Sequence, residues 1–261
     1  MAAHPEGSLI GLRNSDGNIT LIRIESGSRK VKGIGILDPL EKFSDANFGS
    51  EIQLGRSNYT IVRPRLPDVI SGMQRGAQTI SAKDAGFFIA KLGIGEGDNV
   101  LEAGLGSGGL SIHLIRSLGS KGNLISVENR ENHATTGLAN ISSAIEAFSS
   151  TVSHQCIIGD VSEIAQENEW DLDAIILDLP DHPSAIKALY SSLNHGGRIG
   201  CYCPVSSQLE AAWQACEEVG LSIEWAGELM QRQWGRASKG GMRPINGPFG
   251  HTAFLLIAYK P

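Results

Sequence analysis

The sequence predicts an α/β fold: a mostly parallel seven-stranded sheet with helices on both faces, preceded by a small β-domain. Three observations carry this expectation. From Lys83 onward, short apolar runs alternate with amphipathic helical stretches, the pattern of strand–helix–strand crossovers. Before residue 66 the pattern is instead short strands separated by tight turns. A glycine loop, Gly104-Leu105-Gly106-Ser107-Gly108, joins the first apolar run of the later region to the helical stretch that follows it.

Taken in order, residues 9–12 and 19–24 flank Asp16-Gly17, a hairpin signal, and residues 51–54 and 59–62 flank Gly55-Arg56-Ser57-Asn58 as a second hairpin. The stretch Arg63-Pro64-Arg65-Leu66-Pro67-Asp68 marks a boundary, which divides the chain into a β-domain over residues 1–66 and a main domain over 67–261. Residues 83–92 read as a helix because Ala85, Phe88, Ile89 and Leu92 fall three and four apart on one face. Strands are expected at 99–101, 124–127, 154–158, 173–177 and 199–203, and helices at 110–118, 131–148 and 207–219. Runs at 221–229 and 252–259 close the sheet. The glycine-rich segment 235–250 reads as a loop over the site.

Composition bounds the function. With 41% hydrophobic residues in 261, a sizeable core is within reach. The four cysteines form no CxxC pair and no histidine stands at zinc spacing from them, so no metal site is expected. Cys201 and Cys203, two apart in an apolar run, read as buried thiols, and a reducing, cytoplasmic setting follows. No signal pattern heads the chain, and no apolar stretch approaches the roughly 18 residues of a membrane span. A net charge of −6 argues against a purely electrostatic nucleic-acid binder and leaves room for a local basic patch.

Alone, the glycine loop supports any nucleotide-like ligand, because glycine lets the backbone turn sharply and approach a ligand closely. Its context narrows the choice. Glu128 ends the next strand, twenty residues after Gly108, where a carboxylate accepts hydrogen bonds from ribose hydroxyls. Gly159-Asp160-Val161 ends the third strand, where a carboxylate reaches an adenine amino group. Glu102, just before the glycines, would repel a pyrophosphate and suits the cationic methionine end of S-adenosyl-L-methionine. Asp178 follows the apolar run Ile175-Ile176-Leu177, and Pro180 fixes the turn beyond it. An acid there is a candidate base or hydrogen-bond acceptor for the methyl acceptor.

Several motifs occur together and in order: Gln78-Thr79-Ile80 with Lys83-Asp84; Glu102-Ala103-Gly104-Leu105-Gly106-Ser107-Gly108; and Glu128-Asn129-Arg130 with His133. Asp178-Leu179-Pro180 follows, then Arg243-Pro244 with Gly250-His251-Thr252-Ala253-Phe254-Leu255. This set resembles the tRNA adenine-N1 methyltransferases, from about Ser8 to the C-terminus. The resemblance implies a Rossmann-like class I methyltransferase fold and methyl transfer to N1 of adenosine 58 in the tRNA T-loop, in some archaeal members also 57. It implies that Gly104, Gly106, Ser107 and Gly108 line the donor's methionine portion, that Glu128 holds the ribose and that Asp160 contacts the adenine. Gln78 and His133 would lie near the donor, and Asp178 would be the catalytic acid. With their neighbours, the candidate donor-binding set also includes Glu102, Leu105, Gly109, Leu110 and Val161, besides Asp178 itself. Assembly as a homotetramer is implied likewise. Where many members carry Tyr-Pro before Lys-Asp, Ser81-Ala82 stand here, so a base-stacking tyrosine is absent at that position. Where many continue Asp-Leu-Pro with a proline and tryptophan, this chain has Asp181-His182-Pro183.

A tRNA partner needs positive charge on the surface. Arg63, Arg65, Arg75 and Lys83 form one cluster in sequence, and Arg232, Arg236, Lys239 and Arg243, interleaved with Trp234, form another. The alternatives from other classes are an NAD(P)-dependent Rossmann oxidoreductase, a non-catalytic RNA-binding subunit retaining the fold, and a methyltransferase for a small molecule or protein.

Overall fold

The computed structural model describes residues 4–247 and 250–261. Its N-terminal part contains β1 (Leu9–Asn14), β2 (Ile19–Arg23), β3 (Arg29–Val31), β4 (Gly35–Leu37), α1 (Pro39–Phe43), β5 (Glu51–Leu54) and β6 (Ser57–Val62). Four of these strands form an antiparallel sheet in the order β2-β1-β6-β5, and β3 pairs with β4. The β1–β2 turn is closed by Asn14, whose Oδ1 accepts the N–H groups of Asp16 and Asn18 at 3.1 and 2.9 Å. Ile10, Leu12, Ile22, Ile24, Phe43 and Ile61 are buried together as a separate small core.

The chain continues through α2 (Leu66–Gly72), α3 (Ala82–Leu92), β7 (Asn99–Ala103), α4 (Gly109–Leu118), β8 (Asn123–Glu128), α5 (Glu131–Phe148) and β9 (Ser153–Ile158). There follow α6 (Val161–Glu167), β10 (Leu172–Leu177), α7 (His182–Leu189), β11 (Leu193–Cys203) and α8 (Ser206–Glu218). The last elements are β12 (Ser222–Glu228), β13 (Trp234–Arg236), β14 (Met242–Pro244) and β15 (Phe254–Tyr259). The main sheet has seven strands in the order β12-β15-β11-β10-β7-β8-β9. Neighbours β9, β8, β7, β10 and β11 are parallel, and β15 runs antiparallel to both β11 and β12.

Strands buried on both faces explain the continuous apolar runs in the sequence. Alternate residues serve opposite cores: Val100, Ala174 and Ile176 pack with α3, α4 and α5, whereas Leu101, Ile175 and Leu177 pack with α6, α7 and α8. Cys201 and Cys203 are fully buried on the second side, as expected for strand neighbours two apart. The order places β7 beside β10, so the chain winds outward from β7 to β9 and then returns to start again at β10. At such a switch the loops after the two central strands diverge, and a crevice opens at their carboxyl ends.

Some elements lie outside the sequence expectation. Helices α1, α6 and α7 have 5, 7 and 8 residues, too few for an apolar period to register. Each does carry a cap signal: Asp38, Asp160 and Asp181 accept the N–H groups of Glu41, Ser162 and Ser184 at 3.1, 2.8 and 3.3 Å. Helix α2 and the β3–β4 ladder were likewise not anticipated. The expected glycine-rich loop contains a ladder, with Trp234 opposite Pro244 and Arg236 opposite Met242. Residues 248 and 249 of that loop lie outside the described residues.

Candidate active site

A solvent-open cavity of about 690 Å³ occupies the crevice. Gly104 reaches it from the end of β7, Glu128 and Arg130 from β8, Asp160 and Val161 from β9, and Asp178 and Asp181 from β10. Five of the expected site residues therefore meet here: Gly104, Glu128, Asp160, Val161 and Asp178. Asn129, Arg130, Leu179, Pro180 and Asp181 line it as well. The sequence reading did not put them in the candidate set, although each lies within three residues of a strand-end acid.

The remaining expected residues build the wall behind the cavity. Gly104 has φ +29°, and a Cβ there would lie 2.5 Å from the carbonyl oxygen of Asp178, so only glycine lets the ends of β7 and β10 approach so closely. Gly108 has φ +75°, and its Cβ would lie 3.0 Å from the Gly137 carbonyl oxygen, so this glycine seats α4 against α5. Gly106 donates its N–H to Glu128 Oε2 at 2.8 Å. Glu128 Oε1 accepts from the backbone N–H and the Nε of Arg130 at 3.0 and 3.3 Å. The loop and the acid are thereby one hydrogen-bonded unit. Leu105 and Leu110 turn into the apolar core beside α3, away from the cavity.

A strap, residues 74–80, crosses the outside of the loop. Ser107 Oγ accepts the Gly76 N–H at 3.0 Å and donates to the Ala77 carbonyl at 3.0 Å. Asn140 of α5 accepts from the Gln74 N–H at 2.8 Å and donates to the carbonyls of Gln74 and Ser107 at 2.7 and 2.9 Å. Nothing in the sequence marks this asparagine beyond its place in a helix. A Cβ on Gly109 would lie 2.8 Å from Thr79 Cβ, so the helix start is pressed against the strap. Gln78 sits exposed on the strap, and His133 stands half-buried in the first turn of α5 with its Nδ1 unpartnered among the described residues. Neither lines the cavity.

The electrostatics correct one step of the sequence argument. Glu102 is 1% exposed, accepts a hydrogen bond from Ser111 and accepts another from Ser126 at 2.6 Å. Burial pushes its carboxyl up to about 7, against those two hydrogen bonds. Enclosed in this way, it is not among the residues that line the cavity. The negative character of the cavity comes instead from Glu128, Asp160, Asp178 and Asp181, with Arg130 the one cation on the wall among the described residues. Burial likewise raises Asp178 to about 7, helped by the charge of Glu128 and opposed by Arg130. Among the described residues its carboxylate has no hydrogen-bond partner. An acid held near neutrality and free to accept is suited to proton or hydrogen-bond exchange with a ligand. Tyr202, at the end of β11, is itself raised to about 12 by burial and by the charges of Asp84 and Asp178.

Two other expectations change. Lys83, grouped by sequence with free basic residues, pairs with the wholly buried Asp84 at 2.6 Å and donates to Thr252 Oγ1 at 2.8 Å. It therefore ties α3 to the segment before β15. No described residue of the 235–250 segment lines the cavity.

Residues 71–240 match the family described as the tRNA methyltransferase complex GCD14 subunit. The chain is 30% identical over 251 residues to the tRNA (adenine(57)-N(1)/adenine(58)-N(1))-methyltransferase TrmI of Methanocaldococcus jannaschii, covering 87% of this chain and 86% of that protein. The tRNA (adenine(58)-N(1))-methyltransferase TrmI of Thermus thermophilus is 30% identical over 197 residues, 76% of this chain and 75% of that one. In structure, a SAM-dependent O-methyltransferase of Thermotoga maritima superposes with TM-score 0.80 at 28% identity, over 98% of this chain and 94% of the other. The tRNA (m1A58) methyltransferase TrmI of Aquifex aeolicus superposes with TM-score 0.71 at 22% identity, over 98% of both, a likeness of fold. The fold is the class I methyltransferase fold with added N-terminal antiparallel sheets, the glycine loop and strand-end acids stand where that fold opens its crevice, and the matched segment spans most of the chain; it belongs to the family of the GCD14 subunit of the tRNA methyltransferase complex.

Proposed function

We propose that this protein transfers a methyl group from S-adenosyl-L-methionine to N1 of adenosine in tRNA, at position 58. The observation that carries the reading is Asp178: an unpaired carboxylate near neutrality, at the end of β10, in a cavity shared with Glu128 and Asp160.

The residues fit the donor. Glu128 and Asp160 each keep lone pairs beyond their protein hydrogen bonds, for ribose hydroxyls and an adenine amino group. The close approach that Gly104 permits leaves backbone, not side chain, against the ligand. Four acids and one arginine favour a cationic ligand over a pyrophosphate, which weighs against the nicotinamide alternative. S-adenosyl-L-methionine supplies an electrophilic methyl group on a sulfonium.

Adenine N1 is a modest nucleophile whose in-plane lone pair gains electron density when the exocyclic amine donates into the ring. Asp178, ionised, accepts a hydrogen bond from that amine and pushes electron density toward N1. Asp178 also fixes the base for in-line attack, where positioning supplies much of the rate. N1 lies on the Watson–Crick edge, so the adenosine must leave its tRNA pairing to reach the carboxylate. The presence of Asp178 together with the intact loop favours catalysis over a merely RNA-binding role.

The division at residue 66 into a β-domain and a catalytic domain belongs to this proposal, supported by the separate N-terminal core. So does assembly as a homo-oligomer, a tetramer by family likeness: Met230, Trp234, Met242 and Ile245 are each more than half exposed around the β13–β14 ladder. A cytoplasmic setting is supported by four unpaired cysteines. No helix of the described residues is long and apolar enough to cross a membrane.

The test incubates the protein with unmodified tRNA and labelled donor, then digests the RNA and identifies nucleosides by mass spectrometry. 1-Methyladenosine from the wild type and none from D178A supports the proposal. Donor binding without 1-methyladenosine refutes the substrate, and full activity in D178A refutes the role of Asp178.

A further inference from the structure

Away from the donor cavity, the residues linking β6 to α2 face the C-terminal ends of α4 and α5 across an open cleft of about 550 Å³. Arg63, Arg65 and Arg116 line it with Phe148 and Ser149. All three arginines are exposed, and among the described residues none has a carboxylate within ion-pairing distance. Elsewhere, Arg13, Arg23, Arg29, Arg130 and Arg198 each do. The acids closest in sequence are already engaged. Asp68 binds Arg13 and the Arg65 backbone N–H, and Glu146 binds Arg23.

Two of the three arginines are also pre-oriented. Arg116 lies over the Phe148 ring at 5.5 Å and Arg63 over the Phe48 ring at 5.9 Å. Stacking holds a guanidinium by its face and leaves its N–H edge free for an anion. The cleft continues past Arg116 into a second hollow of about 420 Å³ that carries the hydroxyls of Ser120, Ser150 and Thr151. Stacked arginines followed by hydroxyl donors are the chemistry that recognises successive phosphates and 2′-hydroxyls of an RNA backbone. On a chain of net charge −6, such a concentration is not explained by general surface polarity.

We infer that this cleft is a backbone-binding subsite for the tRNA substrate, remote from the methylated base. The inference rests on the tRNA reading above. Helix α5 gives the scale: it starts beside Arg130 of the donor cavity and ends at Phe148, eighteen residues in all. At 1.5 Å per residue the two sites stand about 25 Å apart. A tRNA with its target base in the cavity spans this distance, and a contact so far from the reacting atoms acts on affinity and not on chemistry. It also revises the basic cluster read from sequence: Arg63 and Arg65 join Arg116 from α4, and Lys83 takes no part.

The test measures tRNA methylation and equilibrium tRNA binding for wild type and R65A/R116A between low and moderate salt. Expected is a rise in KM for tRNA of about tenfold, with kcat at saturating tRNA within twofold and donor affinity unchanged. The log–log salt slope of binding becomes shallower by about 1.5, as each lost phosphate contact removes about 0.7–0.9. R65K/R116K, which keeps the charge but not the fork, recovers part of the affinity. R56A, on the exposed β5–β6 turn, matches the wild type. If loss of the Arg116 stack unfolds the protein, R63A/R65A reads the same quantities. Unchanged KM and slope, or an equal loss in R56A, overturns the cleft while tRNA methylation by the wild type stands. Donor binding by a wild type that neither binds nor methylates tRNA overturns both.

Discussion

Replacing Asp178 with asparagine is expected to stabilise the protein at neutral and alkaline pH while destroying its activity. The side chain keeps its shape and loses its charge. An aspartate with an ordinary pKa of 3.8 is raised in the fold to about 7, chiefly because burial penalises the charged form and Glu128 repels it. The folded state therefore holds a proton that the unfolded chain has released, and stability falls as pH rises from 3.8 toward 7. At about 1.4 kcal/mol per pH unit, the wild type loses at most about 3 kcal/mol between pH 5 and 7 that the asparagine variant does not lose. Water reaching a half-buried carboxylate reduces this to about 1.5 kcal/mol, or about 3–6 °C in Tm for a chain of this length. The effect on Glu102 runs the same way, since removing Asp178 also removes its repulsion of that acid. Urea unfolding followed through the four tryptophans, at pH 5, 6, 7 and 8, measures the divergence. The two chains should differ least at pH 5 and separate further by pH 7, with little more separation above it. A difference independent of pH, or a less stable variant at pH 8, refutes the assignment of a strained carboxylate held for function.

Three further outcomes follow from the same site. Methyl transfer should rise about tenfold from pH 6 to pH 8 as Asp178 ionises, within a setting that also includes Glu102, Glu128, Arg130, Tyr202 and Cys203; a flat profile under single-turnover conditions contradicts it. E128Q should weaken donor binding by about 10–100-fold in calorimetry, because it loses a charged acceptor for the ribose and for the Gly106 N–H; unchanged affinity contradicts its role. G104A should destabilise the fold by at least about 1–3 kcal/mol, because its Cβ would lie 2.5 Å from the Asp178 carbonyl oxygen; a melting curve equal to wild type contradicts the close approach.

How much of this was legible in the sequence depended on the kind of signal. All seven strands of the main sheet were readable: β7, β8, β10, β11 and β15 as largely buried apolar runs, and the half-buried edge strands β9 and β12 from their place in the alternation with helices. Gly104, Glu128, Asp160 and Asp178 were readable because strand-end positions in an alternating pattern must share one edge. The direction of the Glu102 side chain was not, since its partners Ser111 and Ser126 lie on different elements and meet it only in the folded sheet. Asn140 was invisible for the same reason: its bonds to Gln74 and Ser107 span 66 and 33 residues. The Lys83–Asp84 pair stands adjacent in sequence, yet its burial depends on Thr252, 169 residues away. The short helices α6 and α7 were missed although Asp160 and Asp181 cap them, because a cap alone does not distinguish a helix from a turn.

The most direct measurement of the central claim maps methylation along a whole tRNA. Unmodified transcripts carrying adenosine or guanosine at position 58 would be treated with the protein and donor, then read position by position through reverse-transcription arrest, which a methyl group on the Watson–Crick edge imposes. The account predicts an arrest at 58 in the adenosine transcript, none there in the guanosine transcript, and none in either with D178A. Arrest elsewhere with position 58 untouched, or methylation that persists without Asp178, would contradict it.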